Sequence, residues 1–175
     1  MILLLLALAI LVLPLQWVVA AVAAAAFHEL CHVLAVKACG GKIIRFRAGI
    51  SGANMEAAGL SDGQIILCAL AGPLGGLSLL LLVRWIPRIA LCAAAQSLFN
   101  LMPLYPLDGG RALHYGVGLL FPRRATAICG WIRGICLTGI WLFGLYGTVV
   151  LRLGILPLGL VVFIFIKMTC KPAPH

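Results

Sequence analysis

The chain has 175 residues, of which 64% are hydrophobic and only 10% are charged, whereas roughly a quarter of the residues in soluble domains are charged. Its mean hydropathy is +1.18, and 13 basic residues against four acidic ones give a formal charge of +9. This composition excludes an ordinary soluble domain and indicates an integral membrane protein. Because the basic residues lie in short loops between apolar runs, we expect no nucleic-acid partner.

Six apolar segments predict about six transmembrane helices. Pro14 separates the first two so closely that they could instead form one kinked helix, which would give five spans. The N-terminal stretch also resembles a secretory signal, but no basic residue precedes its apolar run, so we favour a membrane anchor. The segments cover residues 2–13, 15–38, 64–83, 89–106, 126–150 and 153–168.

The distribution of basic residues predicts the orientation in the membrane. With six spans, nine basic residues lie in loops on the side of the N-terminus and three on the other side, with Arg133 left inside a span. The positive-inside rule then places both termini in the cytoplasm, in what we expect to be a bacterial cell membrane. The nine are Lys37, Lys42, Arg45, Arg47, Arg111, Arg123, Arg124, Lys167 and Lys171, and the three are Arg84, Arg88 and Arg152.

The loop at 39–63 is predicted to form the only extended structure. It is punctuated by glycines and contains the partly alternating run IIRFRAGI, which is typical of strands. We therefore expect an all-α polytopic membrane protein with a short β-hairpin or strand pair between the second and third helices. We treat residues 1–175 as a single membrane-embedded domain with its core at 15–125.

The seven cysteines do not indicate a disulfide framework. Their number is odd, and no CxxC pair occurs. A cysteine zinc site is equally unexpected on this pattern. We interpret most of these thiols as small buried apolar groups.

The stretch FHELCHVLAV at 27–36 contains the candidate metal-binding and catalytic residues. His28 and His32 are four residues apart, so on a helix both imidazoles face the same side and can reach one Zn²⁺. Glu29 lies beside the first histidine and can accept a proton from a water molecule without being a ligand, as in HExxH metalloproteases. The alternative is a pair of core histidines beside a chance acid. Because ionisable groups in membrane helices are costly, we favour the metal site.

A tetrahedral catalytic zinc needs a third protein ligand. Asp108 stands in NLMPLYPLDGGRAL, where prolines interrupt the end of an apolar segment and glycines allow a close backbone approach. The predicted topology brings it to the depth of the two histidines. Spacing alone leaves an alternative, in which Asp108 is a turn residue in an Asp-Gly-Gly corner. The candidates for the third ligand are Glu56, Asp62, Asp108, His114 and His175.

HELCH at 28–32 and NLMPLYPLDGGR at 100–111 resemble the site-2 protease family of intramembrane zinc metalloproteases, most closely its stage IV sporulation branch. The similarity extends to ANMEAAG at 53–59 and LAGPLGG at 70–76, and it covers most of the chain. It implies zinc as the cofactor and a membrane protein as the substrate, such as the precursor of a sporulation transcription factor, cleaved by regulated intramembrane proteolysis. A membrane regulator is a further expected partner.

The resemblance also assigns roles to residues. It implies that His28 and His32 are zinc ligands, that Glu29 is the catalytic acid and base, and that Asp108 is the third ligand. Asn100 is expected near the site, where it would hold the substrate carbonyl or oxyanion. A buried asparagine at a helix interface is the alternative for Asn100.

Two features depart from the family pattern. Cys31 stands where the family usually has glycine, so that its side chain either packs on a neighbour or lies near the metal. The sporulation branch carries a soluble regulatory domain after the membrane core. This chain stops at KPAPH, so we expect no nucleotide control of that kind.

The residues alone leave two other classes of function open. A transporter or channel could use histidine and aspartate as a metal or proton relay, but it gives no reason for a glutamate beside a His-x-x-x-His pair. A catalytically silent relative that retains partners is disfavoured because Glu29 and the three candidate ligands are all present. Oligomeric state is not predicted by any of these features.

Overall fold

The computed structural model describes residues 14–49 and 52–149. These residues fall in two compact units, divided between Met102 and Pro103. The predicted spans at 2–13 and 153–168 lie outside the described residues, as does the choice between a separate first span and a kinked helix. The described part is mostly helical and contains one two-stranded antiparallel sheet, which confirms the predicted hairpin.

Helix α1 (Leu15–Ala38) begins directly after Pro14. Its 24 residues correspond to about 36 Å at 1.5 Å per residue, which exceeds the roughly 30 Å hydrocarbon core of a bilayer. Strands β1 (Lys42–Gly49) and β2 (Gly52–Ala58) follow. They pair in register from Lys42 with Ala58 to Gly49 with Gly52, apart from an irregularity at Ile44.

Helix α2 (Asp62–Ser78) is capped at its start by a reciprocal pair of hydrogen bonds. The Ser61 hydroxyl accepts from the Gln64 backbone N–H, while the Gln64 side chain accepts from the Ser61 backbone N–H. The Gln64 amide also donates to the Cys39 carbonyl, at 3.2 Å, just past the end of α1. This hydrogen bond ties the start of α2 to the end of α1. A 3₁₀ segment (Leu79–Leu82) continues α2 at its other end.

Helix α3 (Pro87–Asn100) has 14 residues, about 21 Å, and is shorter than the predicted span at 89–106. It ends at Asn100 because Pro103 and Pro106 cannot continue a helix and disfavour helical backbone in the residues that precede them. In the first unit, α3 packs against both α1 and α2. Small side chains allow this close packing, since Ala24 and Ala90 are fully buried and Ala93 is 1% exposed.

Glycine lets α2 and α3 approach closely. A Cβ atom on Gly76 would overlap the Ser97 hydroxyl and would lie 3.3 Å from the Ala93 carbonyl oxygen. Gly72 and Gly76 therefore have the packing role expected for small residues four apart. A Cβ on Gly130 or Gly134 would meet nothing within 4 Å among the described residues, so close packing at this second pair of small residues stays a prediction.

The described part of the second unit contains α4 (Asp108–Leu120) and α5 (Ala125–Val149), which contact each other. Within residues 14–49 and 52–149, three helical stretches are long and apolar enough to cross a membrane: Leu15–Ala38, Asp62–Leu82 and Ala125–Val149. The membrane character that the composition predicts is therefore present in the described residues. The prediction of six spans stays a prediction.

Candidate metal centre

His28 and His32 lie one turn apart on the same face of α1, as the spacing predicts. Both are buried, with 2% and 8% of their surfaces exposed. Their rings meet edge to face, with centroids 4.8 Å apart, and their Nε2 atoms are 3.1 Å apart. The two imidazoles therefore converge through the nitrogen atoms that usually bind metals.

A backbone carbonyl on α2 fixes the tautomer of His32. The Nδ1 atom of His32 lies 2.7 Å from the carbonyl oxygen of Cys68 on α2. A carbonyl only accepts hydrogen bonds, so Nδ1 carries the proton and the neutral ring keeps a lone pair on Nε2. Metal-binding histidines commonly donate their other N–H to a carbonyl in this way, which holds the ring in orientation.

Asn100 lies beside the histidine pair. Its Nδ2 atom is 3.2 Å from Nε2 of His28, and an amide nitrogen can only donate. Nε2 of His28 therefore lies within hydrogen-bonding distance of both the Asn100 amide and Nε2 of His32, which is 3.1 Å away. Asn100 thus lies against His28, and its role at the site stays a prediction.

Gly72 leaves the space in front of both nitrogens open. A Cβ atom on Gly72 would overlap Nε2 of His32 and would lie 2.8 Å from Nε2 of His28. A zinc ion binds histidine nitrogen at about 2.0–2.1 Å, and without a side chain on Gly72 both nitrogens stay open to such an ion. The residues present therefore fit a bound metal ion.

Cys31 packs on the neighbouring helix. A Cβ atom on Gly75 would overlap the Cys31 sulfur and would lie 3.0 Å from the Cys31 Cβ. The side chain that replaces the usual glycine is thus accommodated by a glycine on α2. Of the two placements expected from the sequence, the structure shows packing on a neighbour.

Asp108 is the first residue of α4, and the chain before it folds back on that helix. The Leu107 N–H donates to the Leu104 carbonyl at 2.8 Å, and Leu104 is fully buried. A Cβ on Gly110 would overlap the peptide that joins Leu104 to Tyr105, so only glycine allows this close passage. The turn therefore lies at Leu104–Leu107, and Asp108 begins a helix rather than standing in an Asp-Gly-Gly corner.

Asp108, the third sequence-predicted ligand, is half-buried in the first turn of α4. Its role as a ligand stays a prediction. Glu29 follows His28 directly on α1 and is half-buried.

Comparisons with protein-family models and with curated proteins give no match. Among solved structures, the chain is similar to the site-2 protease from Methanocaldococcus jannaschii, with a TM-score of 0.63 and 20% sequence identity. The match covers 91% of this chain and 80% of that chain. The two proteins share a fold.

The structure describes the side chains of two other candidates for the third ligand. Asp62 is exposed in the first turn of α2. His114 is half-buried and stacks edge to face on Tyr115, with the ring centroids 5.6 Å apart. His175 and the side chain of Glu56 lie outside what the structure describes.

Sequence reasoning missed two contributors to the site. The Cys68 carbonyl gives no signal in sequence, because every residue has a backbone carbonyl. Gly72 did give a signal, since it belongs to the LAGPLGG stretch and to a small-residue pair, but that pattern indicates only close helix packing. Its contact with the imidazoles becomes visible only when α1 and α2 are placed side by side.

We expect Gly72→Ala to reduce zinc affinity by more than about tenfold, because the added methyl group would overlap the imidazoles and displace their Nε2 atoms from the metal-binding orientation. Isothermal titration of the purified, metal-free protein with zinc measures this change. Gly118→Ala is the matched control, since a Cβ there meets nothing within 4 Å of the described residues. Equal affinities for the two variants would show that Gly72 does not border the metal.

Proposed function

We propose that this protein is an intramembrane zinc metalloendopeptidase that hydrolyses a peptide bond in or near a transmembrane segment of a membrane-associated protein. The observation that carries the proposal is the convergence of the two buried Nε2 atoms, 3.1 Å apart, on an apolar helix that bears Glu29 beside them. The fold shared with a site-2 protease supports it.

The donor set favours zinc among the common metals. Two imidazoles and one carboxylate are a ligand set of catalytic zinc sites, which keep a further position open for water or substrate. Magnesium and calcium prefer sites built from oxygen ligands. His28, His32 and Asp108 would hold the ion, and the hydrogen bond from His32 to the Cys68 carbonyl would keep one ring in its binding orientation.

When bound, zinc supplies Lewis acidity that polarises the scissile carbonyl and activates a water molecule for attack. Glu29 accepts a proton from the attacking water and passes it to the leaving amine. Its position next to a ligand on the same helix gives the carboxylate a reach to the reacting atoms without making it a ligand. The Asn100 amide, beside His28, donates a hydrogen bond to the carbonyl oxygen as negative charge develops there.

The hairpin provides a way to hold an opened substrate segment. A transmembrane helix has its backbone amides paired internally, so it must unwind before a peptide bond becomes accessible. In the described residues, β1 and β2 pair only with each other, and each strand has a second edge. An extended substrate segment can add to such an edge as a further strand.

We also propose a class of substrate, a regulator and an orientation of the protein in the membrane. The sequence motifs support a membrane-bound precursor, such as that of a sporulation transcription factor, released by regulated proteolysis. The distribution of basic residues supports a bacterial cell membrane with both termini and the opening of the site in the cytoplasm. A membrane protein that binds the enzyme would control access to the site.

Exchange of Glu29 for Gln separates proteolysis from the alternatives. We expect the purified variant to retain zinc, because the ligands are intact, while cleavage falls by roughly 10²-fold or more with the loss of the general base. The readouts are metal content by mass spectrometry and cleavage of a co-expressed, doubly tagged single-span membrane protein.

Asp62→Asn serves as the matched control, because it removes an exposed acidic residue outside the metal group. It should retain both zinc and cleavage. Undiminished proteolysis in Glu29→Gln would reject the assigned mechanism. Zinc flux into liposomes containing the wild-type protein, without proteolysis, would favour a transporter.

Proline substitutions test the role of the hairpin. Successive backbone N–H groups of a strand point to opposite edges, so Arg47→Pro and Ala48→Pro each remove a donor from a different edge of β1. We expect at least one of them to lower cleavage of the same substrate at unchanged zinc content. Ile44→Pro, at the irregularity in the ladder, is the control that should be tolerated. Unchanged cleavage in both test variants would contradict strand addition at β1.

A further inference from the structure

A cavity of about 420 Å³ opens in the first unit, between the start of α1 and the start of α3. Its size lies within the roughly 300–1,000 Å³ of small-molecule sites. Leu15 and His28 are 13 residues apart on α1, so the cavity lies about 20 Å along this helix from the histidine pair. It is therefore separate from the candidate metal centre.

The charged lining of this cavity is purely positive. Arg88 lines it together with Gln16, and the sequence contains no acidic residue at 14–28 or at 63–107. The first turns of two helices also meet there, and neither helix has a side-chain cap. Backbone N–H groups at uncapped helix starts favour negative charge. The polar part of the cavity is thus complementary to an anion.

The rest of the lining is apolar, and part of it is exposed. Val19 and Ala20 from α1 and Ile89 from α3 form part of it. Trp85, on the rim, is 74% exposed, and Val19 is 58% exposed. On a helix that crosses a bilayer, such exposed apolar surface is in contact with lipid, and tryptophan and arginine are typical of the headgroup level. An acyl chain can follow the apolar wall below this polar rim.

We propose that the cavity binds a phospholipid whose headgroup carries a net negative charge. Its phosphate lies against the Arg88 guanidinium and the two helix starts, and one acyl chain packs on Val19, Ala20 and Ile89. The combination of a positive rim, no compensating acid and an apolar wall open to the membrane selects an anionic lipid over a zwitterionic one. This site is independent of the proposed peptidase activity.

Native mass spectrometry of the detergent-solubilised full chain tests the site, with phosphatidylglycerol and phosphatidylcholine added separately. We expect one phosphatidylglycerol to bind more tightly than phosphatidylcholine, and Arg88→Gln to reduce this preference by about fivefold, as one arginine near a headgroup contributes about 1 kcal/mol. Arg123→Gln removes an exposed arginine that does not line the cavity and should leave the preference unchanged.

A second variant tests the apolar wall. Val19 is largely exposed, so Val19→Trp adds bulk inside the cavity without disturbing the helix core. It should abolish the tight binding of phosphatidylglycerol while the unfolding temperature of the protein stays within a few degrees of wild type. The proposal would be overturned if the wild type bound the two lipids equally, or if Val19→Trp bound phosphatidylglycerol fully. It would also be overturned if Arg88→Gln retained the preference, or if Arg123→Gln lost it to the same extent.

Discussion

The rest of the site depends on two imidazole nitrogens, the Nε2 atoms of His28 and His32, which lie 3.1 Å apart on the buried face of an apolar helix. The Cys68 carbonyl fixes the proton of His32 on its far nitrogen, and the Asn100 amide points its N–H at His28. The two inner nitrogens thus point at one shared position, where a single cation can bind both. A buried polar pair of this kind is costly in a membrane segment unless it has a ligand to bind.

The helix packing around the pair depends on small residues. Gly72 gives the imidazoles room, Gly75 accepts the Cys31 side chain, and Gly76 accepts Ser97 from α3. These three contacts lie along one stretch of α2, so the same backbone surface brings α1 and α3 together and leaves the space beside the histidines open. Close helix approach and ligand access are thus two consequences of one run of glycines.

The sequence predicted local structure well where a single periodicity or motif decides it. The spacing of His28 and His32 gave their common face, and the alternating run after α1 gave the hairpin. The length of α3 was overestimated, because its apolar run continues past Asn100 while the prolines end the helix. The Cys68 carbonyl and the contact of Cys31 with Gly75 could not be predicted, since both arise from the packing of two helices rather than from a pattern along one.

X-ray absorption at the zinc edge of the metal-loaded protein tests the central claim most directly. Coordination by His28, His32 and Asp108 predicts two imidazoles and a carboxylate oxygen at about 2.0–2.2 Å. A spectrum with fewer than two imidazoles, or with a sulfur neighbour at about 2.3 Å such as Cys31 would provide, would contradict the account.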